Sequence, residues 1–295
     1  MVRRRWIALA CVAAALAGAG IAAALTLRGG GEPAAATSPA PASTRAVAGA
    51  TEPPATTAKP ESAAEPLPDE KEQAAAVERL LARGLPVYCG GGKGRYVALT
   101  FDDGPGPYTA LALKILRLAG ARATFFLVGR NLASWPELPR RETARGALGN
   151  HSWTHAVLSA LPRAEMASEL SRTKGEIERL ARRPVRLFRP PYGRHSEAVD
   201  AEARSLGMLQ VLWSVDSRDS LGADYRGIAR NVKGGLRPGA IVLLHENRGQ
   251  TIRALRFHIL PELERRGLGA VSVPELLALD PPSLARQRGG LEGCR

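Results

Sequence analysis

The sequence is poor in the residues that mark several common protein classes. Three cysteines in 295 residues exclude a disulfide-dense miniprotein. Phe, Trp and Tyr make up only 5% of the chain, too few for a protein that reads RNA by stacking bases on aromatic rings. The chain has no G-x-S-x-G elbow, no P-loop and no G-x-G-x-x-G, so neither a serine nucleophile on that elbow nor a phosphate-cradling loop is indicated. The run Gly90-Gly91-Gly92-Lys93-Gly94 fits neither phosphate motif and reads as a flexible entry loop. Acidic residues are in deficit: 28 Asp/Glu stand against 41 Lys/Arg, a net charge of +13. Residues 1–70 hold six of each sign, so the excess belongs to the rest of the chain. A basic body suits a polyanion such as a cell wall or a membrane surface. Nucleic acid would rest on charge alone and is not expected as a partner. With 45% hydrophobic residues the chain can bury a sizeable core and is not disordered throughout.

The N-terminus reads as an address. Arg3, Arg4 and Arg5 precede an uncharged run of 22 residues, Trp6 to Leu27, closed by Arg28. As a helix this run would span about 33 Å, enough for a bilayer core. The basic flank would remain inside, so the rest of the chain is expected outside the cytoplasm, membrane-anchored or secreted. Ala22-Ala23-Ala24 offers a cleavage site, so residues 1–28 are a signal anchor or a signal peptide. Residues 29–68 are rich in Pro, Ala and Thr and read as a disordered linker with a reach of roughly 100 Å. Residues 69–295 form the expected folded domain.

In that domain β-rich apolar runs alternate with helical patterns. The strand candidates are 96–101, 124–128, 147–150, 186–188, 209–214, 240–245 and 269–272; helices are expected over 70–83, 108–118, 163–180, 197–206 and 251–265. Seven strands separated by helices predict a parallel α/β architecture. In α/β barrels chemistry gathers at the C-terminal ends of the strands, and here polar clusters follow five of them. The first ends in Thr100-Phe101-Asp102-Asp103-Gly104-Pro105. Adjacent side chains on a strand point opposite ways, so both carboxylates serve one site only if the strand breaks, which Gly104 and Pro105 would supply. The third leads into His151-Ser152-Trp153-Thr154-His155, where two imidazoles at i, i+4 would share a helical face and reach one ion. Ser152 replaces the glutamate of H-E-x-x-H, so a base must come from Asp102 or Asp103. The fourth leads into Arg189-Pro190-Pro191-Tyr192-Gly193, a stiff loop able to aim a backbone N–H. Beyond the fifth, Trp213 precedes Asp216 and Asp219; the sixth ends in Leu243-Leu244-His245-Glu246, with His245 a candidate acid or base.

Taken in order, Thr-Phe-Asp-Asp-Gly-Pro, His-Ser-x-x-His, Arg-Pro-Pro-Tyr, Asp-x-x-Asp and Leu-x-His resemble the polysaccharide deacetylases, carbohydrate esterase family four with its NodB homology domain, over Tyr96 to Leu277. The resemblance implies a distorted (β/α) barrel with about seven parallel strands. It implies that Asp103, His151 and His155 bind a divalent metal, usually Zn2+, with Co2+, Ni2+ or Mn2+ as alternatives. Asp102 would be the catalytic base held by Arg189, and His245 the general acid oriented by Asp219. The backbone N–H of Tyr192 would complete an oxyanion hole, and Trp213 and Leu243 would line the acetyl pocket. Ser220 departs from the pattern, because the family usually has Trp there. The implied reaction removes acetyl groups from an acetylated cell-wall polysaccharide, peptidoglycan or chitin-like. O-acetylated xylan and a non-catalytic wall-binding role are the alternatives. A facial-triad iron oxygenase also uses two His and one carboxylate but favours a β-sandwich. Cys89 and Cys294 flank the domain; outside the cell they would pair, and otherwise they are free thiols.

Overall fold

The computed structural model describes residues 66–295, so the apolar run 6–27 and all but the last residues of the linker lie outside the described residues. Among the described residues no helix is long and apolar enough to cross a membrane. The elements alternate as the sequence suggests: α1 (Glu70–Leu81), β1 (Tyr96–Gly104), α2 (Thr109–Leu118), β2 (Ala123–Leu127), α3 (Leu138–Thr143), β3 (Gly146–Asn150), α4 (Arg163–Ala181), β4 (Leu187–Phe188), α5 (Glu197–Ser205), β5 (Leu209–Gln210), β6 (Val215–Asp216), α6 (Tyr225–Gly235), β7 (Ile241–His245), α7 (Gly249–Ala254), α8 (Leu260–Arg265), β8 (Gly269–Val271), α9 (Val273–Leu279) and α10 (Leu284–Arg288).

All strand pairs of the sheet are parallel, in the order β5-β4-β3-β2-β1-β7-β6, with β8 against the start of β1. That order forces curvature. Laid flat, six spacings of about 4.8 Å would put β5 and β6 about 29 Å apart. Yet only residues 211–214 separate them in the chain, a reach of about 17 Å. The sheet therefore curls until one segment, 209–216, pairs with β4 through its first half and with β7 through its second. The seven expected strands become eight because the run 209–214 divides there. Val87 stitches the division: its N–H donates to Gln210 O at 2.9 Å, and its carbonyl accepts from Leu212 N–H at 2.7 Å.

The period-2 alternation of the strands separates two apolar layers. Val97, Leu99 and Phe101 of β1 join the core beneath the surrounding helices, with Phe125, Leu127, Val242 and Leu244. Ala98, Phe126, Leu187, Leu209 and Ile241 face inward, where Ala76, Val77 and Leu80 of α1 and Val273, Leu276 and Leu277 of α9 close the N-terminal end of the barrel. The opposite end stays open for polar groups. Ser272 begins α9 with a capping box, its hydroxyl accepting from Glu275 N–H while the Glu275 carboxylate takes Ser272 N–H. The expected helix over 251–265 is interrupted by a π-helical turn at Leu255–Ile259. The glycine run 90–94 is tied down rather than loose: Asp280 accepts from Lys93 N–H at 2.9 Å and Gly94 N–H at 3.0 Å.

Candidate active site

The two adjacent carboxylates meet by a device other than the expected strand break. β1 continues through Gly104, and its register against β2 slips between Asp102 and Gly104. Asp103 is the extra residue of this bulge and takes a left-handed φ of 67°. Regular alternation would turn its side chain away from Asp102. The bulge instead leaves Asp102 Oδ2 and Asp103 Oδ1 at 3.7 and 3.8 Å from the same atom, His151 Nε2.

The two imidazoles also converge without a helix. Residues 151–155 are a loop in which Ser152 (φ 63°) and His155 (φ 64°) are both left-handed, so the expected shared helical face is absent. Side chains hold the loop in this shape. Asn150 Oδ1 accepts from Ser152 N–H at 2.9 Å, and Ser152 Oγ from His155 N–H at 3.0 Å. Glu169 of α4 accepts from Trp153 and Thr154 N–H at 2.8 and 2.7 Å. His155 Nε2 lies 3.2 Å from Asp103 Oδ1. His151 Nδ1 donates to Arg189 O at 2.7 Å, which fixes the tautomer and aims the Nε2 lone pair into the site. Burial holds the His151 ring neutral, its pKa pushed down to about 3 against the attraction of Asp103. One donor atom each from Asp103, His151 and His155 lie within 4.8 Å of one another. A tetrahedral ion at bond lengths near 2.1 Å needs its donors roughly 3.4 Å apart. The oriented, neutral imidazole and the neighbouring carboxylate therefore fit a divalent metal.

Arg189 is fully buried beneath this cluster. Its guanidinium donates to Asp102 Oδ1 at 2.7 Å, Thr100 Oγ1 at 2.8 Å, Val211 O at 3.0 Å and Leu212 O at 3.1 Å, and it stacks over Phe126 at 4.2 Å. Asp102 thus has one oxygen locked and the other free. Burial raises its pKa above the ordinary carboxylate range, with Arg189 opposing. On β7, in register with Asp102, His245 Nδ1 donates to Asp219 Oδ1 at 2.6 Å, and its backbone N–H to Asp219 Oδ2 at 2.8 Å. Thr251 Oγ1 and Ser220 N–H complete the shell of Asp219, at 2.6 and 2.8 Å. Burial disfavours a charged His245 ring, yet the Asp219 hydrogen bond and charge hold its pKa above the ordinary value. Asp219 itself lies below the usual range, since these donors outweigh its burial.

The other sequence-selected residues surround this pair. Tyr192 is left-handed (φ 61°), and its exposed ring stands edge-on to His155 with centroids 4.7 Å apart. The turn around it is closed by Gly193 N–H to Pro190 O and Arg194 N–H to Pro191 O. Trp213 is half-buried and packs so closely on Gly193 that a Cβ there would come within 2.9 Å of the ring. Leu243 is buried on the same face of β7 as His245. Asp216 is exposed and only caps Arg218 N–H. Cys89 and Cys294 form a disulfide. Sequence reasoning left Glu246 without a role. It is fully buried directly behind Gly104, its Oε2 accepting from Thr109 Oγ1 at 2.5 Å and its Oε1 unpartnered. Burial pushes its pKa up to about 8, opposed by Thr109 and reinforced by Asp103 and Asp102. The signal was its position, one residue past a wholly apolar strand.

An open barrel end carrying an Asp-His-His cluster, a buried carboxylate held by arginine and a histidine held by aspartate is the site of an α/β-barrel hydrolase. Known proteins narrow the class. The polysaccharide deacetylase family profile matches residues 90–211. A chitooligosaccharide deacetylase of Bradyrhizobium is 38% identical over 199 residues, covering 62% of this chain and 90% of its own. A peptidoglycan-N-acetylglucosamine deacetylase of Bacillus cereus is 37% identical, covering 62% and 88%. A solved family-four pseudoenzyme from Bacillus anthracis superposes with a TM-score of 0.62 at 30% identity, covering 68% of this chain and 70% of its own. The chain belongs to the polysaccharide deacetylases, carbohydrate esterase family four with the NodB homology domain. It is an enzyme of the deacetylase class, acting on carbon–nitrogen bonds of the amide type.

Proposed function

We propose that this chain removes acetyl groups from an N-acetylated cell-wall glycan, peptidoglycan or chitin-like, and releases acetate. The observation that carries this reading is a pair in register on neighbouring strands at the Asp-His-His cluster: Asp102, a carboxylate with one oxygen held by Arg189 and the other free, and His245, an imidazole held at Nδ1 by Asp219. Amide hydrolysis needs both. Asp102, anchored by Arg189, accepts the proton of the attacking water through Oδ2. His245, anchored by Asp219, donates from Nε2 to the leaving amine, which cannot depart as an anion. The Tyr192 N–H faces the developing oxyanion, and one such donor supplies about 3 kcal/mol. Trp213 and Leu243 enclose the methyl group. Asp103, His151 and His155 would hold the divalent metal, Zn2+ first among the candidates. Such an ion acidifies water and polarises a carbonyl when bound.

The pseudoenzyme among the relatives makes a wall-binding role the reading to exclude. Against it, this chain retains a base, an acid, both their partners and the Asp-His-His cluster. An extracytoplasmic location, by an anchor or secretion through residues 1–28, accords with the Cys89–Cys294 disulfide, which belongs to oxidising compartments. The test is acetate release by the full chain from peptidoglycan, chitin oligomers and acetylated xylan, each with and without chelator. Chelator-sensitive release from an N-acetylated glycan supports the proposal, and release from xylan alone replaces it with an O-acetyl esterase. No release from any of them by folded, metal-loaded protein overturns it.

A further inference from the structure

Glu246 brackets Asp103. Its backbone N–H donates to the carbonyl of Asp102, the preceding residue, at 3.2 Å. Its carboxyl lies against the α-carbon of Gly104, the following residue, so closely that a Cβ there would fall 1.5 Å from Glu246 Oε1. Gly104 is therefore required by space, and glutamate fits at 246 only because 104 is glycine. The opposite end of the carboxyl is fixed by the Thr109 hydroxyl, which also accepts from Gly106 N–H at 2.8 Å. A left-handed non-glycine residue persists only where its surroundings over-determine it. Around Asp103 those surroundings are Glu246, Asn131, whose Nδ2 donates to Asp103 O at 3.0 Å, and Val128, whose N–H donates to Gly104 O at 2.8 Å. Asn131 and Val128 hold the bulge from the β2 side; past the end of β7, Glu246 packs behind Gly104 and Asn247 Nδ2 donates to Asp103 Oδ2 at 3.5 Å. A buried carboxyl with one oxygen unpartnered is a stability cost that packing alone does not explain.

We infer that Glu246 is a positioning residue for the metal cluster, acting through the Asp102–Gly106 turn to set where the Asp103 carboxylate stands. It touches neither metal nor substrate. This rests on the proposed ligand set of Asp103, His151 and His155. A hydrogen-bonded partner behind a metal ligand typically changes affinity by about 10–100-fold when removed.

The experiment titrates the full chain with Co2+, reading the visible absorption band and the dissociation constant, for wild type, Glu246→Ala and Glu246→Gln. All are measured well below each variant's melting temperature. Wild type should bind. Glu246→Ala, which empties the space behind Gly104, should weaken binding at least tenfold and shift the band. Glu246→Gln keeps the length and an acceptor for Thr109 and should restore affinity to within about threefold. If Glu246→Ala melts lower but binds Co2+ with wild-type affinity and spectrum, its role is structural only and the inference is overturned. If wild type binds no Co2+, the ligand set itself fails. Should Glu246→Ala not fold, Glu246→Ser and Glu246→Asp, which shorten the prop by degrees, take its place, and equal affinity across that series also overturns the inference.

Discussion

Asp219→Asn separates geometry from charge at the proposed acid. The two oxygens of Asp219 receive four donors: His245 N–H and Thr251 O–H at Oδ2, His245 Nδ1–H and Ser220 N–H at Oδ1. Asparagine has the same shape but only one oxygen. With that oxygen at the Oδ2 position, the amide NH2 confronts the Ser220 N–H. With it at Oδ1, the NH2 confronts the His245 N–H. In either pose one buried backbone donor loses its acceptor, at about 1–3 kcal/mol. The effect on His245 is larger in kind. Burial lowers its pKa, while Asp219 first, and then Asp102 and Asp103, raise it above the ordinary value, so the variant should shift the ring toward its neutral form. Turnover should fall by about 10²–10⁴, the usual contribution of a positioned acid or base. The basic limb of the pH–rate profile should move to lower pH, because the protonated ring is the active form. Stability follows the same sign. A pKa raised on folding contributes stability that is fully present below the unfolded histidine value and is lost as pH rises through the folded one, so the variant should lack that loss. Acetate release from pH 5 to 9, paired with urea melts, reads both. Turnover within threefold of wild type with an unmoved basic limb would refute the assignment of His245 as the acid.

Asp102→Asn should abolish acetate release while Co2+ binding persists; loss of metal instead would mean that the two aspartates have exchanged roles. Glu142 is fully buried with both carboxyl oxygens unpartnered, and burial, reinforced by Glu246, pushes its pKa well above the ordinary value. Its protonated form is the one the fold tolerates, so it destabilises as pH rises above the unfolded carboxyl value. Glu142→Gln should therefore raise the urea midpoint by the equivalent of about 1–3 kcal/mol at pH 9, and by less at pH 5; equal midpoints at both would count against it. Cys294→Ser opens a loop closed across a sequence separation of 205 and should cost up to about 5 kcal/mol, visible as a reductant-insensitive drop in the urea midpoint.

The alternation of apolar runs and helices made the parallel architecture legible, and the polar clusters at strand ends located the site. What escaped the sequence was backbone conformation. The spacing of His151 and His155 marked a shared target, but the cause is two left-handed residues in a loop, which no periodicity reveals. Asp102 and Asp103 were recognised as a pair, while the bulge that unites them depends on β2 and on Glu246, residues distant in the chain. The run 209–214 looked like one strand because its divided pairing is a property of closure, not of composition. The helix at Val273–Leu279 did carry a signal, Ser272 three residues before Glu275. By contrast α6 places three glycines in eleven residues, which lowers its helix propensity although Ile228, Ala229 and Val232 keep a helical spacing.

The disulfide has a mechanical consequence. A pull on the chain from its N-terminal side first loads α1, held to α9 by apolar packing alone at Ala76, Val77 and Leu80. Peeling can release residues only as far as Cys89, where the covalent link to Cys294 joins the strained end to the tail. From there the load is shared with the C-terminal segment through Cys294, so β1 is not pulled alone.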